Sequence, residues 1–383
     1  MKSKETDILI VGAGIAGLAH AYAAAVLGYR VVVVEKDLKP SGASVKNFGL
    51  IWPIGQSPGT AYSLAIKSTQ IWKKLAKEAD FWLKQSGSVF LAKYDAEMEV
   101  LKEFQESAYK YGYKCKLINA KRTRECVGEF ATKSLKGALL SDTELTVNPL
   151  KAIPSIIEYL RRKYGVSFVF GKAVTRIEMP FVLAGKYVWK TNQVFICSGD
   201  VTAILYPEKL ASKNLQNCQL HMMSGTIKNQ NLQKLPALAT GLSIIRYPSF
   251  RHCSSLENLR VFLTKKAPLA IEHGINLLVS TYKNNKIVIG DSHHYNNVPT
   301  FTLSHVVKKE ILKQLKDTYH IPDLEIEQEW LGNYLKTIGG SVYNLELEEG
   351  VKLVTGLGGN GMTLSFGLAE ENLREYHTAN MNA

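Results

Sequence analysis

Residues 7–35 read DILIVGAGIAGLAHAYAAAVLGYRVVVVE, and they decide the fold. Asp7 to Val11 is a short continuous apolar run, the pattern of a strand buried on both faces. Ile15 to Leu27 is alanine-rich and reads as a helix, with Gly28 placed to end it. Arg30 to Glu35 is a second strand built on four valines. Strand, helix and strand in about thirty residues make one βαβ unit. Between the first strand and the helix stands Gly12-Ala13-Gly14-Ile15-Ala16-Gly17, a GxGxxG loop in the context that gives this motif meaning. Gly12 permits the tight turn, Gly14 lets the backbone approach a pyrophosphate, and Gly17 lets helix and strand pack closely. The helix N-terminus then faces the diphosphate charge. Glu35 ends the second strand, where a carboxylate meets the ribose hydroxyls and disfavours a 2′-phosphate. That argues for a dinucleotide and against NADP.

The same region imitates a signal peptide, since Lys2 and Lys4 precede the apolar stretch. Glu5 and Asp7 directly before it, and three glycines within it, oppose secretion or membrane insertion. The 383 residues suit two or three domains, and no Pro/Gly/Ser linker separates them. The net charge of +13 is scattered; a solvated face accounts for it better than a nucleic-acid surface, and a local field for an anionic substrate is the third reading. Five cysteines without a CxxC pair argue against a disulfide framework and a zinc site, and fit a reducing, cytoplasmic compartment.

Farther along, helices are expected over Thr60–Leu83, Ala96–Tyr109, Asn148–Tyr164, Val306–Tyr319 and Thr363–Asn372. Strands are expected over Ser88–Ala92, Val166–Val169, Gln193–Cys197, Cys218–Thr226, Gly241–Tyr247 and Val351–Thr355. Leu277–Tyr282 and Lys286–Ile289 read as a hairpin about Asn284-Asn285. The expected class is α/β: a Rossmann-like FAD-binding domain (1–85, 140–215 and 330–383) with an interleaved, mostly antiparallel α+β substrate domain (86–139 and 216–329). FAD rather than NAD follows from a second loop, Gly356-Leu357-Gly358-Gly359-Asn360-Gly361-Met362-Thr363. It too joins a strand to a helix, and a helix N-terminus aimed at a flavin ring stabilises the charge that develops on reduction.

With both loops in hand, the chain resembles the D-amino-acid oxidase/glycine oxidase superfamily over nearly its whole length. Gly12 to Glu35, Ser41 to Gly49, Cys197-Ser198-Gly199 and Gly356 to Thr363 carry the likeness. It implies FAD held by Gly12, Ala13, Gly14, Ile15, Ala16, Gly17, Glu35, Lys36, Ser44, Asn47, Phe48, Gly49, Val174, Ser198, Gly199, Gly358, Gly359, Asn360, Gly361, Met362 and Thr363, with Ser44–Gly49 running under the flavin. Asn47-Phe48-Gly49-x-x-Trp52-Pro53-x-Gly55-Gln56, Asp291-Ser292-His293-His294-Tyr295 and Trp330-Leu331-Gly332-Asn333-Tyr334 look like a narrower bacterial clade associated with phosphonate use. Two departures matter. Tyr282 and Tyr334 stand where glycine oxidase-like enzymes carry arginines that grip a substrate carboxylate, which puts a plain α-amino acid in doubt.

The resemblance implies oxidation of a primary or secondary amine to an imine, then hydrolysis to an aldehyde, with oxygen or another acceptor taking the electrons. The substrate expected is a small anionic amine, an aminophosphonate related to 2-aminoethylphosphonate. A glycine, sarcosine or D-amino-acid oxidase is the alternative, and an RNA-acting flavoprotein the second, though no added RNA-binding domain is visible. Candidate substrate residues are Lys46, Arg246, Tyr247, Tyr282, Tyr334 and His221, each weighed against a solvent or core role. Arg251 and His252 follow with similar standing. Adjacent His293 and His294 alternate faces on a strand, so one lines the pocket and no metal is expected. No protein side chain is expected to act as nucleophile, because the flavin carries the chemistry. Oligomeric state is not legible.

Overall fold

The computed structural model describes residues 3–199, 204–211, 215–228, 232–295, 300–321, 323–337 and 343–381. At its heart is a six-stranded sheet in the order Ser167–Val169, Val31–Val34, Ile8–Val11, Gln193–Ile196, Val351–Thr355 and Tyr343–Glu348. The first five strands run parallel and the last antiparallel. Ile8–Val11 and Val31–Val34 are buried throughout, as continuous apolar strands in a covered parallel sheet must be. The helix Ile15–Val26 packs against Gly361–Met381 and Pro149–Tyr164. Asn148 caps the last of these by accepting from Leu150 N–H (3.1 Å), and Gly165 ends it at φ +67°.

A nine-stranded sheet forms the second layer. It runs His294–Tyr295, Leu215–Ile227, Lys286–Gly290, Leu278–Thr281, Ala237–Ala239, Ser88–Ala92, Gly137–Ser141 and Cys115–Asn119, with Leu324–Thr337 also pairing Leu215–Ile227. All its pairings are antiparallel except Ala237–Ala239 with Ser88–Phe90. This is the mixed α/β architecture expected. Leu324–Thr337 stays in this sheet along its whole length, so the strand crosses the boundary expected at 330.

The asparagine pair makes the expected hairpin, with Asn284 and Asn285 at φ +61° and +57°. One expected strand is corrected. Gly241–Ile244 is a helical turn, capped at Thr240, whose carbonyl accepts from Ser243 and Ile244 N–H. A short buried apolar run carries no period that separates strand from helix, and the turn starts tight against the helix Asp95–Ala108: a Cβ on Gly241 would lie 2.0 Å from Glu97 Oε1. The long helix also ends earlier than expected, at Glu78; Asp80 turns at φ +49°, and Leu83–Lys84 becomes a strand. Among the described residues no helix is long and apolar enough to cross a membrane.

Candidate functional site

Because strands 8–11, 31–34, 193–196 and 351–355 are parallel, they deliver Gly12, Glu35, Ser198 and Gly356 to one edge of the sheet. That edge is where open α/β sheets bind ligands. Gly12 sits at φ +101°, and a Cβ there would lie 2.6 Å from Cys197 O; a Cβ on Gly17 would lie 1.9 Å from Gly12 O. The loop is therefore as tight as the fold allows. Buried Glu35 accepts from Ala13 N–H (2.8 Å, Oε2) and from Asp37 N–H (3.0 Å, Oε1). Ser44 reaches over the helix start, its Oγ accepting from Ile15 N–H (2.8 Å) and lying 3.0 Å from where a Gly14 Cβ would stand.

The second loop turns through Gly356, Gly358 and Gly359 at φ +70°, +57° and +81°. It is stitched to the segment after Ser44. Thr363 Oγ1 accepts from Trp52 N–H (2.9 Å), and Asn360 Oδ1 from Gln56 Nε2 (3.0 Å). Ser280 Oγ donates to Phe48 O (2.8 Å), and Asn47 Oδ1 accepts from Gly49 N–H (2.7 Å). Glu144, wholly buried, accepts from Ile54 N–H (3.1 Å) and Ser88 Oγ (2.9 Å), fixing the turn after Trp52. Two buried polar atoms along this segment have no partner among the described residues: Trp52 Nε1, and Tyr282 OH, which a Gly49 Cβ would approach to 3.0 Å.

Facing the second loop is a ring of polar and aromatic side chains. Tyr334 lies on Gly359, whose Cβ would be 3.4 Å from the ring. His293 meets Tyr334 edge-on (6.5 Å between centroids), and Tyr247 meets Trp52 (6.0 Å). At Gly290 the strand pairing slips by one residue, so Asp291 faces Asn276, each N–H donating to the other's carbonyl (2.8 Å). Burial pushes the Asp291 carboxyl up to about 7, against the pull of Arg246, its own backbone N–H and Asn276. Burial, with repulsion from Arg246, holds His293 well below the usual imidazole range. It is therefore neutral, its Nδ1–H donating to Gly274 O (3.1 Å). Tyr247, Tyr334 and His293 are half-buried. Arg246 packs its guanidinium on Gly274 and makes no side-chain hydrogen bond or ion pair among the described residues.

A family model of FAD-dependent oxidoreductases, DAO, matches residues 7–372. The chain belongs to the DAO family. It is an FAD-dependent oxidoreductase. One subunit of the opine oxidase of Rhizobium meliloti is 23% identical over 348 residues, covering 88% of this chain and 84% of that one. Glycine oxidase from Geobacillus kaustophilus has a similar structure, with a TM-score of 0.79 at 19% identity over 98% of this chain and 95% of that one. L-proline dehydrogenase from P. horikoshii superposes with a TM-score of 0.78 at 19% identity over 96% and 92% of the two chains.

The residues present fit the DAO cofactor. The glycine loop leaves no space for side chains, Glu35 presents a buried carboxylate at the strand end, and Trp52 Nε1 and Tyr282 OH, beside Gly49, have no partner among the described residues. Val174 belongs to the core with Val11 and Val34, beneath the Glu35 edge. Lys36 is exposed and pairs with Asp37 (2.7 Å). Ser198 lies against Gly12, and Gly199 turns at φ +65°.

Of the residues expected to bind substrate, the structure groups Arg246, Tyr247 and Tyr334. Arg246 stands just after a helical turn, not at a strand end. Tyr282 lies apart from them, against Gly49 and Trp82 (6.3 Å between centroids). Lys46 is exposed over Gly332, in a groove with Trp330, Asn333 and Phe301. His221 projects from the opposite face of the strand to Cys218, which pairs Tyr334; there Nε2 meets Glu329 (3.2 Å), itself paired with Lys308. Arg251 is exposed, and His252 bonds Ser107 (2.6 Å). His293 lies beside Asp291 (3.6 Å) while His294 pairs in the sheet. Sequence reading passed over Asn276 and gave Asp291 no part beyond the motif Asp291-Ser292-His293.

Proposed function

We propose that the chain oxidises a small primary or secondary amine carrying an anionic group to its imine, which water hydrolyses to an aldehyde and a smaller amine. The preferred substrate is an aminophosphonate related to 2-aminoethylphosphonate, N-methylated or hydroxylated. Bound FAD supplies the hydride-accepting centre. The protein's task is to hold the amine neutral with its C–H aimed at that centre.

One observation carries the reading. Arg246 brings a guanidinium with no ion-pair partner among the described residues into the pocket that holds Asp291, and the two do not pair with each other. A pocket with both charges kept apart suits a zwitterion, one pole on each. Tyr334, on Gly359, stands where the resembling enzymes grip a carboxylate with arginine. Glycine oxidase and opine oxidase, by name, oxidise amino compounds, which supports a C–N bond as the target. Five free cysteines suit a cytoplasmic setting, with oxygen or another acceptor reoxidising the flavin.

The test compares kcat/KM for substrates that differ only in phosphonate against carboxylate. The phosphonate is expected to win by about tenfold or more. A guanidinium also grips carboxylates, so equal or better turnover of the carboxylate makes the protein an amino-acid oxidase and removes the phosphonate reading.

A further inference from the structure

We infer that Asp291 binds the substrate's ammonium group and accepts its proton, so that the amine enters oxidation in its neutral form. This rests on the amine-oxidation reading above, but not on the phosphonate.

Asp291 is 5% exposed, and its Oδ1 is buried with no hydrogen-bond partner among the described residues. His293 Nδ1 is 3.6 Å away, but its proton is directed to Gly274 O. Arg246 is near enough to act on the carboxyl, yet makes no ion pair with it. A buried carboxylate oxygen left without a donor is costly, and folding alone gives no reason to keep one. A ligand with N–H donors and positive charge would satisfy it.

The surroundings suit a proton acceptor. Arg246 and Tyr247 face Asp291 from the segment after the helical turn, Asn276 from the segment leading into the neighbouring strand, and His293 from Asp291's own segment. Tyr334 and Cys218 stand on the strands beyond, both shifted upward by burial first and by the Asp291 charge among lesser causes. His293 is neutral, so Arg246 is the cation that acts on the carboxyl. A carboxyl near 7 is ionised in part at neutral pH and basic enough to take a proton. The burial that raises the carboxyl lowers a bound ammonium, because low dielectric disfavours both charged forms. The step balances simply. One ammonium N–H bond breaks, an O–H bond forms on Asp291, and the electron pair stays on nitrogen.

The experiment follows anaerobic bleaching of the holoenzyme's flavin by 2-(methylamino)ethylphosphonate and by N-methyl-β-alanine, from pH 6 to 10. The second-order rate constant of the wild type should be bell-shaped, rising through about 7 and falling near the amine's own pKa. For Asp291→Asn it should rise about tenfold per pH unit, because only free amine from solution reacts, and be about 100-fold below wild type at pH 8. Asp291→Glu should restore part of the bell. Flavin absorbance confirms that each variant holds FAD. A wild-type profile that merely tracks amine ionisation, or Asp291→Asn with an unchanged bell, overturns the inference and leaves amine oxidation standing. Failure of both amines to bleach wild-type flavin overturns the amine-oxidation reading and this inference with it.

Discussion

Asp291→Asn should make the protein more stable, and the gain should depend on pH. The side chain keeps its shape and loses only its ability to ionise. In the fold, burial raises the carboxyl to about 7 from an ordinary 3.8. Protonation is thus favoured in the native state. The wild type keeps its full stability below about pH 4 and loses it as pH rises through 7. At 1.36 kcal/mol for each tenfold change, the total loss approaches ~4 kcal/mol. By pH 5 roughly a third of it has occurred. Asp291→Asn escapes this penalty. In FAD-loaded protein at fixed ionic strength, its Tm should exceed wild type by about 4–8 °C at pH 8 and by much less at pH 5, since a kcal/mol moves a large domain by about 2 °C. Differential scanning fluorimetry at the two pH values reads this directly. Equal gains at both, or a loss at pH 8, would show that Asp291 is already satisfied within the fold.

Other consequences follow from the glycine-loop edge and from the residues around Asp291. Glu35→Ala removes a charged acceptor that holds Ala13 and Asp37 at the end of the strand, and should weaken FAD by about 1.5–3 kcal/mol, roughly 10- to 100-fold in Kd by flavin fluorescence. Gly17→Val should yield protein without bound FAD on purification, because its Cβ lands 1.9 Å from Gly12 O and must push the helix off its strand. Arg246→Ala should raise KM for the anionic amine by about tenfold or more while FAD content holds, as loss of a charge-assisted bond implies; an unchanged KM would remove Arg246 as the anion site. His221→Asn should leave KM and kcat within about twofold and cost stability alone, since it loses a hydrogen bond to Glu329 on the far face of the sheet.

Much of this arrangement was legible from local pattern. The βαβ unit at 7–35 declares itself because the glycine spacing, the valine run and Glu35 all serve one backbone geometry. The second loop does so for the same reason, and Asn284-Asn285 because few residues accept two successive left-handed positions. The cluster around Asp291 is different. Arg246, Asn276, Asp291 and Tyr334 come from four segments with no spacing in common, and only the large sheet brings them together. Asp291 is the clearest case: an aspartate after a strand reads as a turn residue, and nothing local shows that the strand pairing slips at Gly290 to bury it. Arg246 drew notice for its chemistry, but its backbone was misread because Leu242, Ile244 and Ile245 are buried whichever way the chain turns.

The hydrogen bond from Trp52 N–H to Thr363 Oγ1 joins residues 311 apart in sequence, and it has a consequence for synthesis. The edge that this bond closes draws on the segment around Trp52 and on a loop made some three hundred residues later. A nascent chain can pair Leu324–Thr337 into the nine-stranded sheet before Gly361–Met381 emerges to close that edge. Until then the strand Ile8–Val11 and the helix Ile15–Val26 have waited without the apolar face of that helix to cover them. Closure of this edge therefore waits for the loop 356–363 and the helix after it. During elongation the six-stranded sheet, rather than the nine-stranded one, stays uncovered longer.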